Sequence, residues 1–201
     1  MFPLPPVITS LLLANVVAFA LQWIVGEPHY SAFELWPLAT PDDAASNFAL
    51  WQVVTYAFLH GNLTHLLLNM LGLATFGTPL ARVGGARRLL TLYFAAVITG
   101  ALTQLIVPPL FDAAPMPSIG ASAGVFGLLL AYAVLFPRST VLLLIPPIPM
   151  PAWLFAVLYT IVELYLGVTG TQAGVAHFAH LGGMLGGALV LWRWRKRRSG
   201  A

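Results

Sequence analysis

The chain has 201 residues, of which 59% are hydrophobic and 7% charged, and its mean hydropathy is +0.88. A soluble domain of ordinary composition carries about 25% charged residues, so this composition excludes a water-soluble enzyme and indicates an integral membrane protein. Nine Lys and Arg outweigh six Asp and Glu, and there is no cysteine, which removes disulfides, thiol catalysis and thiolate metal sites.

Crossing about 30 Å of hydrocarbon takes about 20 helical residues, so the chain holds about six spans and no second domain. Apolar stretches broken by proline, glycine and charge give those spans in chain order. The first is 7–25, preceded by Met1-Phe2-Pro3-Leu4-Pro5-Pro6. With no basic segment before it and no small-residue cleavage site after it, this span reads as retained. A connector with Glu27, Glu34, Asp42 and Asp43 follows; its Trp36 and Trp51 suit the membrane interface, and it reads as partly embedded. The second and third spans are 63–80 and 89–107, the fourth is 119–136, a short fifth is 153–168 and the sixth is 175–194. Between the fourth and fifth, Val141 to Pro151 contains Pro146, Pro147, Pro149 and Pro151, which forbid a continuous helix. That segment is expected to be a cytoplasmic loop against the membrane face. The expected fold is an all-α, polytopic six-helix membrane bundle forming one domain over 1–201.

Charge sets the orientation. Arg82, Arg87 and Arg88 lie between spans two and three, Arg138 lies between four and five, and Arg193, Arg195, Lys196, Arg197 and Arg198 fall in a basic tail over 193–201. The intervening connectors carry Glu27, Glu34, Asp42, Asp43 and Asp112. The positive-inside rule then places both termini in the cytoplasm, consistent with an even number of spans. Basic residues spread over three cytoplasmic segments are topology anchors, and no nucleic-acid partner is expected.

Polar groups inside spans need a partner or a function. His60, His65, His177 and His180 fall at span entrances that all face outward, and Ser122 lies about one turn into a span entering from the same side. Asn69 follows His65 by four residues and shares its helix face. Four-residue glycine spacings at Gly120/Gly124, Gly182/Gly186 and Gly183/Gly187 favour close helix approach in lipid. Packing of spans four and six would bring Ser122 near His180, with His177 a rival base on spacing alone. A serine beside an imidazole is a nucleophile and general base. Asn69 and His65 are candidate donors to an oxyanion. Phe126, one turn after Ser122, either stacks on His180 or packs in the core, and His60 lines the cavity or caps span two. Glu163 is the one carboxylate well inside a span and reads as a structural hydrogen-bonding residue, so a dyad is expected. The imidazoles do not form a zinc-protease site, because His177-Phe178-Ala179-His180 lacks the adjacent glutamate. No internal repeat suggests a transporter.

Three motifs carry a resemblance. Gly-Ala-Ser-Ala-Gly-Val-Phe-Gly at 120–127, His65-Leu-Leu-Leu-Asn69, and Ala176-His177-Phe-Ala-His180-Leu-Gly-Gly resemble, in order and placement, the signature motifs of rhomboid intramembrane serine proteases. The resemblance implies Ser122 as nucleophile, His180 as base, and His65 and Asn69 assisting the Ser122 N–H at the oxyanion, with Gly120, Phe126, His60 and His177 in support. It also implies transmembrane protein substrates entering from lipid, no cofactor and no metal. A bacterial inner membrane is the expected location, with the site open to the extracytoplasmic side. The alternative is a catalytically inactive relative that binds membrane proteins. One departure is Ala123, where the family often has glycine.

Overall fold

A computed structural model of the chain describes residues 3–27, 29–38, 47–111, 116–143, 146–171 and 174–199, with side chains described as far as Lys196 in the last segment. Asp42, Asp43, Asp112 and the side chains of Arg197 and Arg198, used above for orientation, lie outside the described residues. The helices are α1 (Pro6–Val25), a short α2 (Gln52–Thr55), α3 (Leu63–Ile106), α4 (Ser122–Leu135), α5 (Ala152–Thr169) and α6 (His177–Ser199). Among the described residues, three helical stretches are long and apolar enough to cross a membrane, namely Pro6–Val25, Leu63–Phe111 and Ala152–Thr169.

The connector expected between the second and third spans is a single residue. Two helices meet within α3 at Gly85, the one residue of the stretch with non-helical dihedrals, φ 77° and ψ 168°, a conformation that costs glycine little and other residues much. The chain reverses there. Along α4, Gly72 and then Gly77 in the first half of α3 face Val125 and then Leu128, whereas in the second half Gly100 faces Ala123 and Ala96 faces Gly127. The two halves therefore run in opposite directions along one neighbour.

Helix α6 lies between α4 and the second half of α3, and its two glycine stripes serve different partners. Gly182 and Gly186 approach Thr99 and Thr103 of α3, while Gly183 and Gly187 approach the backbone of Ala123 and Gly127 in α4. With no side chain in the way, backbones come into van der Waals contact, the main source of helix attraction where lipid supplies no hydrophobic drive. Gly124 instead faces Tyr93 of α3, so the α4 side of the α4–α6 contact is made by Ala123 and Gly127.

On α1 only Ile8, Leu11, Asn15 and Gln22 are buried, a narrow stripe on an otherwise apolar cylinder whose Leu13, Val17, Leu21 and Ile24 face outward. That is the pattern of a helix packed on one side and solvated by lipid on the other. The expectation of a purely helical chain and of a loop over 141–151 is corrected at one place. Thr140–Leu143 (β1) and Ile148–Pro151 (β2) pair antiparallel, Thr140 opposite Pro151 and Leu143 opposite Ile148. In a two-stranded ribbon each strand has a free edge, so Pro149 and Pro151 cost no obligatory ladder bond.

Candidate active site

Ser122 is the first residue of α4, not one turn inside it as the hydropathy suggested. Helix cannot begin earlier because Gly120 stands at φ 130°, outside the range that side-chain-bearing residues adopt comfortably. The approach to the serine is fixed from outside. Leu35 and Ser118 exchange two backbone hydrogen bonds of 3.0 Å, and the Gly120 N–H donates to the Tyr56 carbonyl at 2.9 Å. Tyr56 is anchored in turn by its hydroxyl, which donates to the Val97 carbonyl of α3 at 2.8 Å. The connector before α3 thus positions the nucleophile's backbone.

His180 sits one turn into α6, whose start is held by the Gln104 side chain accepting from the Ala179 N–H at 3.2 Å. Its Nε2 lies 2.8 Å from Ser122 Oγ. The ring stacks on Phe126, centroids 4.3 Å apart and planes 6° from parallel. Of the two placements left open for Phe126, the structure has the stacked one. The small residues of the α4–α6 contact bring nucleophile and imidazole together: Ala123 follows Ser122, and Gly183 lies one turn beyond His180.

The far side of the imidazole meets α5. Glu163 Oε2 lies 2.7 Å from His177 Nδ1 and 2.9 Å from His180 Nδ1, and all three residues are buried. The His177 contact meets hydrogen-bond geometry. The His180 contact is as short as an ion pair, but the Nδ1–H direction falls off the oxygen. His177 therefore faces Glu163 with its Nδ1, and its ring stands edge-on to His180 at 6.4 Å. These three groups also lie within 4.8 Å of one another at their ligand atoms, the spacing of a metal-ligand set. They are complementary as they stand, because imidazole N–H groups donate and a carboxylate only accepts.

On the other side of Ser122 is the start of α3. Asn62 caps that helix, its Oδ1 accepting from the His65 N–H at 2.8 Å, so the capping role considered for His60 belongs to Asn62. A methyl group built on Gly120 would sit 2.8 Å from His65 Nε2 and 3.5 Å from Ser122 Oγ; the absent side chain is what lets imidazole and serine flank one residue. The Gly61 N–H points at His65 Nδ1 from 3.5 Å, which favours the tautomer carrying its hydrogen on Nε2, toward Gly120. Asn69 Nδ2 donates to the His65 carbonyl at 3.1 Å, a bond within the helix that uses one of its two amide hydrogens. His60 is buried, its ring edge-on to His65 at 5.0 Å. Its backbone is clamped to α1: the His60 N–H donates to Gln22 Oε1 at 2.9 Å and Gln22 Nε2 donates to the His60 carbonyl at 3.3 Å.

Sequence reasoning missed Gln22, Asn62, Gln104 and the double contact of Glu163. The rule that a polar group in a span needs a partner, applied to amides as well as to imidazoles, points to Gln22 and Gln104. Ala123 also acquires a reason: its buried methyl lies where a side chain on Gly100 would be, 2.6 Å from a methyl built there.

Comparison with known proteins identifies the family. A family model described as Rhomboid domain matches residues 47–197. Rhomboid protein 1, mitochondrial, of Saccharomyces cerevisiae is 38% identical over 141 residues, 70% of this chain and 40% of that protein. RHOMBOID-like protein 12, mitochondrial, of Arabidopsis thaliana is 33% identical over 74% of this chain and 48% of its own length. Rhomboid protease GluP of Bacillus subtilis is 32% identical over 68% of this chain and 24% of its own length. The chain spans less than half the length of each of these relatives. The matched domain covers most of the chain, so this integral membrane protein belongs to the rhomboid family.

Proposed function

We propose that the chain is an intramembrane serine endopeptidase that cleaves transmembrane segments of other membrane proteins near the outer membrane face. The observation that carries this reading is the 2.8 Å contact between Ser122 Oγ and His180 Nε2, on an imidazole stacked against Phe126. His180 takes the serine proton as Oγ attacks the scissile carbonyl, then delivers it to the leaving amine. Water repeats the sequence on the acyl-enzyme. Negative charge on the former carbonyl oxygen is met by the Ser122 N–H, by His65 Nε2–H and by the free amide hydrogen of Asn69; such donors contribute about 3 kcal/mol each. The free N–H groups opening α4 add a favourable field.

In this reading the chain crosses the membrane six times, with α3 supplying two crossings about Gly85, and both termini are cytoplasmic. The support is the confinement of basic residues to alternate connectors. A bacterial cytoplasmic membrane is the proposed location, with the site open to the extracytoplasmic side. Substrate helices hide their carbonyls in internal hydrogen bonds, so helix-breaking or small residues near the outer end favour cleavage.

Labelling by a fluorophosphonate serine probe tests the reading without a known substrate. Wild type is expected to label, and Ser122→Ala and His180→Ala are not; both variants should also fail to cut a single-span substrate in liposomes. Equal labelling of wild type and Ser122→Ala would sink the proposal, and an unreactive wild type would favour a membrane-protein binder.

A further inference from the structure

Glu163 lies on α5, away from the three motifs that carry the family resemblance. A carboxylate buried at membrane depth costs several kcal/mol unless it is paired. Its partners here are the two imidazoles of α6, both reached through Oε2. A carboxylate only accepts, so each Nδ1 facing it carries the hydrogen; a bare Nδ1 at 2.9 Å would set lone pair against lone pair. For a neutral His180 this decides the tautomer. The hydrogen is on Nδ1, and the lone pair is on Nε2, the atom 2.8 Å from Ser122 Oγ.

The geometry points to Glu163 as the positioning residue of His180. Its carboxylate, held by His177, fixes the Nδ1–H tautomer and the ring angle, so that the working unit is Ser122–His180–Glu163 in place of the expected dyad. This rests on the peptidase reading. Three constraints then meet on one ring: Ser122 at Nε2, Glu163 at Nδ1 and Phe126 on its face. His177 keeps the carboxylate from rotating away, because its own bond to Oε2 comes from the same turn of α6.

The proton balance is simple. As Oγ bonds to the carbonyl carbon, the C=O π pair moves to oxygen and the serine proton moves to His180 Nε2. The ring becomes imidazolium with its Nδ1–H still in place, and Glu163 stays a carboxylate throughout. The off-line Nδ1–H contact of the resting site is expected to straighten as positive charge develops, because catalytic hydrogen bonds commonly tighten only along the reaction. A glutamine at 163 can turn its amide N–H toward Nδ1 and select the wrong tautomer, the effect that makes the equivalent change so costly in Ser-His-Asp proteases.

The test uses the full chain in detergent, with kcat and KM measured on a single-span substrate. Glu163→Gln is expected to lower kcat by up to about 10⁴-fold while KM stays within about twofold, the signature of a loss confined to the transition state. Proton NMR of the wild type with a serine-reactive transition-state analogue bound should show a strongly downfield ring N–H that disappears in His180→Ala and is absent from Glu163→Gln. A kcat loss below tenfold, or a wild-type spectrum without that resonance, overturns the assignment. Should Glu163→Gln fail to fold, the wild-type and His180→Ala spectra decide. The underlying reading fails separately: if Ser122→Ala still cleaves, both proposals fall, whereas an inactive Ser122→Ala beside a fully active Glu163→Gln removes only this one.

Discussion

Replacing Gly183 with alanine is expected to separate the two reacting side chains without altering either. A methyl group there would strike the Ala123 carbonyl oxygen and lie 2.8 Å from Ala123 C and 3.0 Å from its Cα. All three are backbone atoms of α4, so no rotamer relieves the contact. Carbon atoms settle at about 3.5–4.0 Å, so the helices must part by roughly 0.7 Å. Ser122 adjoins Ala123, and His180 lies one turn before Gly183. The 2.8 Å Oγ–Nε2 distance therefore opens toward about 3.5 Å, the outer limit at which a hydrogen bond is weak. Overpacking of this kind costs about 1–3 kcal/mol of stability, and a displacement approaching 1 Å at a reacting pair costs up to about 10²-fold in rate. Gly183→Ala should label with a fluorophosphonate probe roughly 10- to 100-fold more slowly and melt at lower temperature in detergent. Leu185→Ala, on an outward-facing position of α6, is the control and should match wild type. Labelling of Gly183→Ala within threefold of wild type at an unchanged melting temperature would refute the claim that this contact sets the Ser122–His180 distance.

Gly100→Ala should destabilise by about 1–3 kcal/mol, since its methyl would lie 2.6 Å from Ala123 Cβ and 2.8 Å from the Ala179 carbonyl. Adding Ala123→Gly should recover part of that loss, and strict additivity of the two changes in thermal unfolding would show that the residues do not share the space. His177→Ala should retain measurable cleavage while His180→Ala retains none; the opposite order would move the general base to His177. In the connector before α2, burial raises the Glu34 carboxyl to about 6, with a smaller contribution from Glu27. The folded state therefore binds more protons than the unfolded chain between about 4.5 and 6, and stability contributed by the neutral form is lost as pH rises through that window. Glu34→Gln should flatten the melting temperature across it, and an unchanged slope would count against a buried, ionising Glu34.

Hydropathy located the helices because lipid imposes a length and a composition on anything that crosses it. The stretches 7–25, 153–168 and 63–80 with 89–107 correspond to α1, α5 and the two halves of α3. Their ends were less legible. Gly85 reverses the chain without a loop because one positive-φ residue suffices, and Ser122 opens α4 because the backbone at Gly120 is not helical. Neither dihedral leaves a mark in hydropathy. The prolines of 146–151 ruled out helix, yet the pairing of Thr140 with Pro151 depends on contacts that composition does not register.

The chemistry of the candidate site divides in the same way. Residue type and order alone marked Ser122, His180, His65 and Asn69, since hydroxyl, imidazole and amide groups are rare and costly in an apolar chain and therefore conspicuous. The motif resemblance already favoured His180 over His177 as the partner of the serine, whereas the nitrogen it presents and the helix that supplies the carboxylate were decided by tertiary structure. His177 and His180 are three residues apart on one helix and indistinguishable by depth. They separate only because Gly183 and Gly187 press α6 against α4 on one side while Glu163 of α5 lies on the other. Sequence spacing fixes positions along a helix, but the angle at which two helices meet is set by the side chains missing between them, and here that angle puts Nε2 on the serine and Nδ1 on the carboxylate.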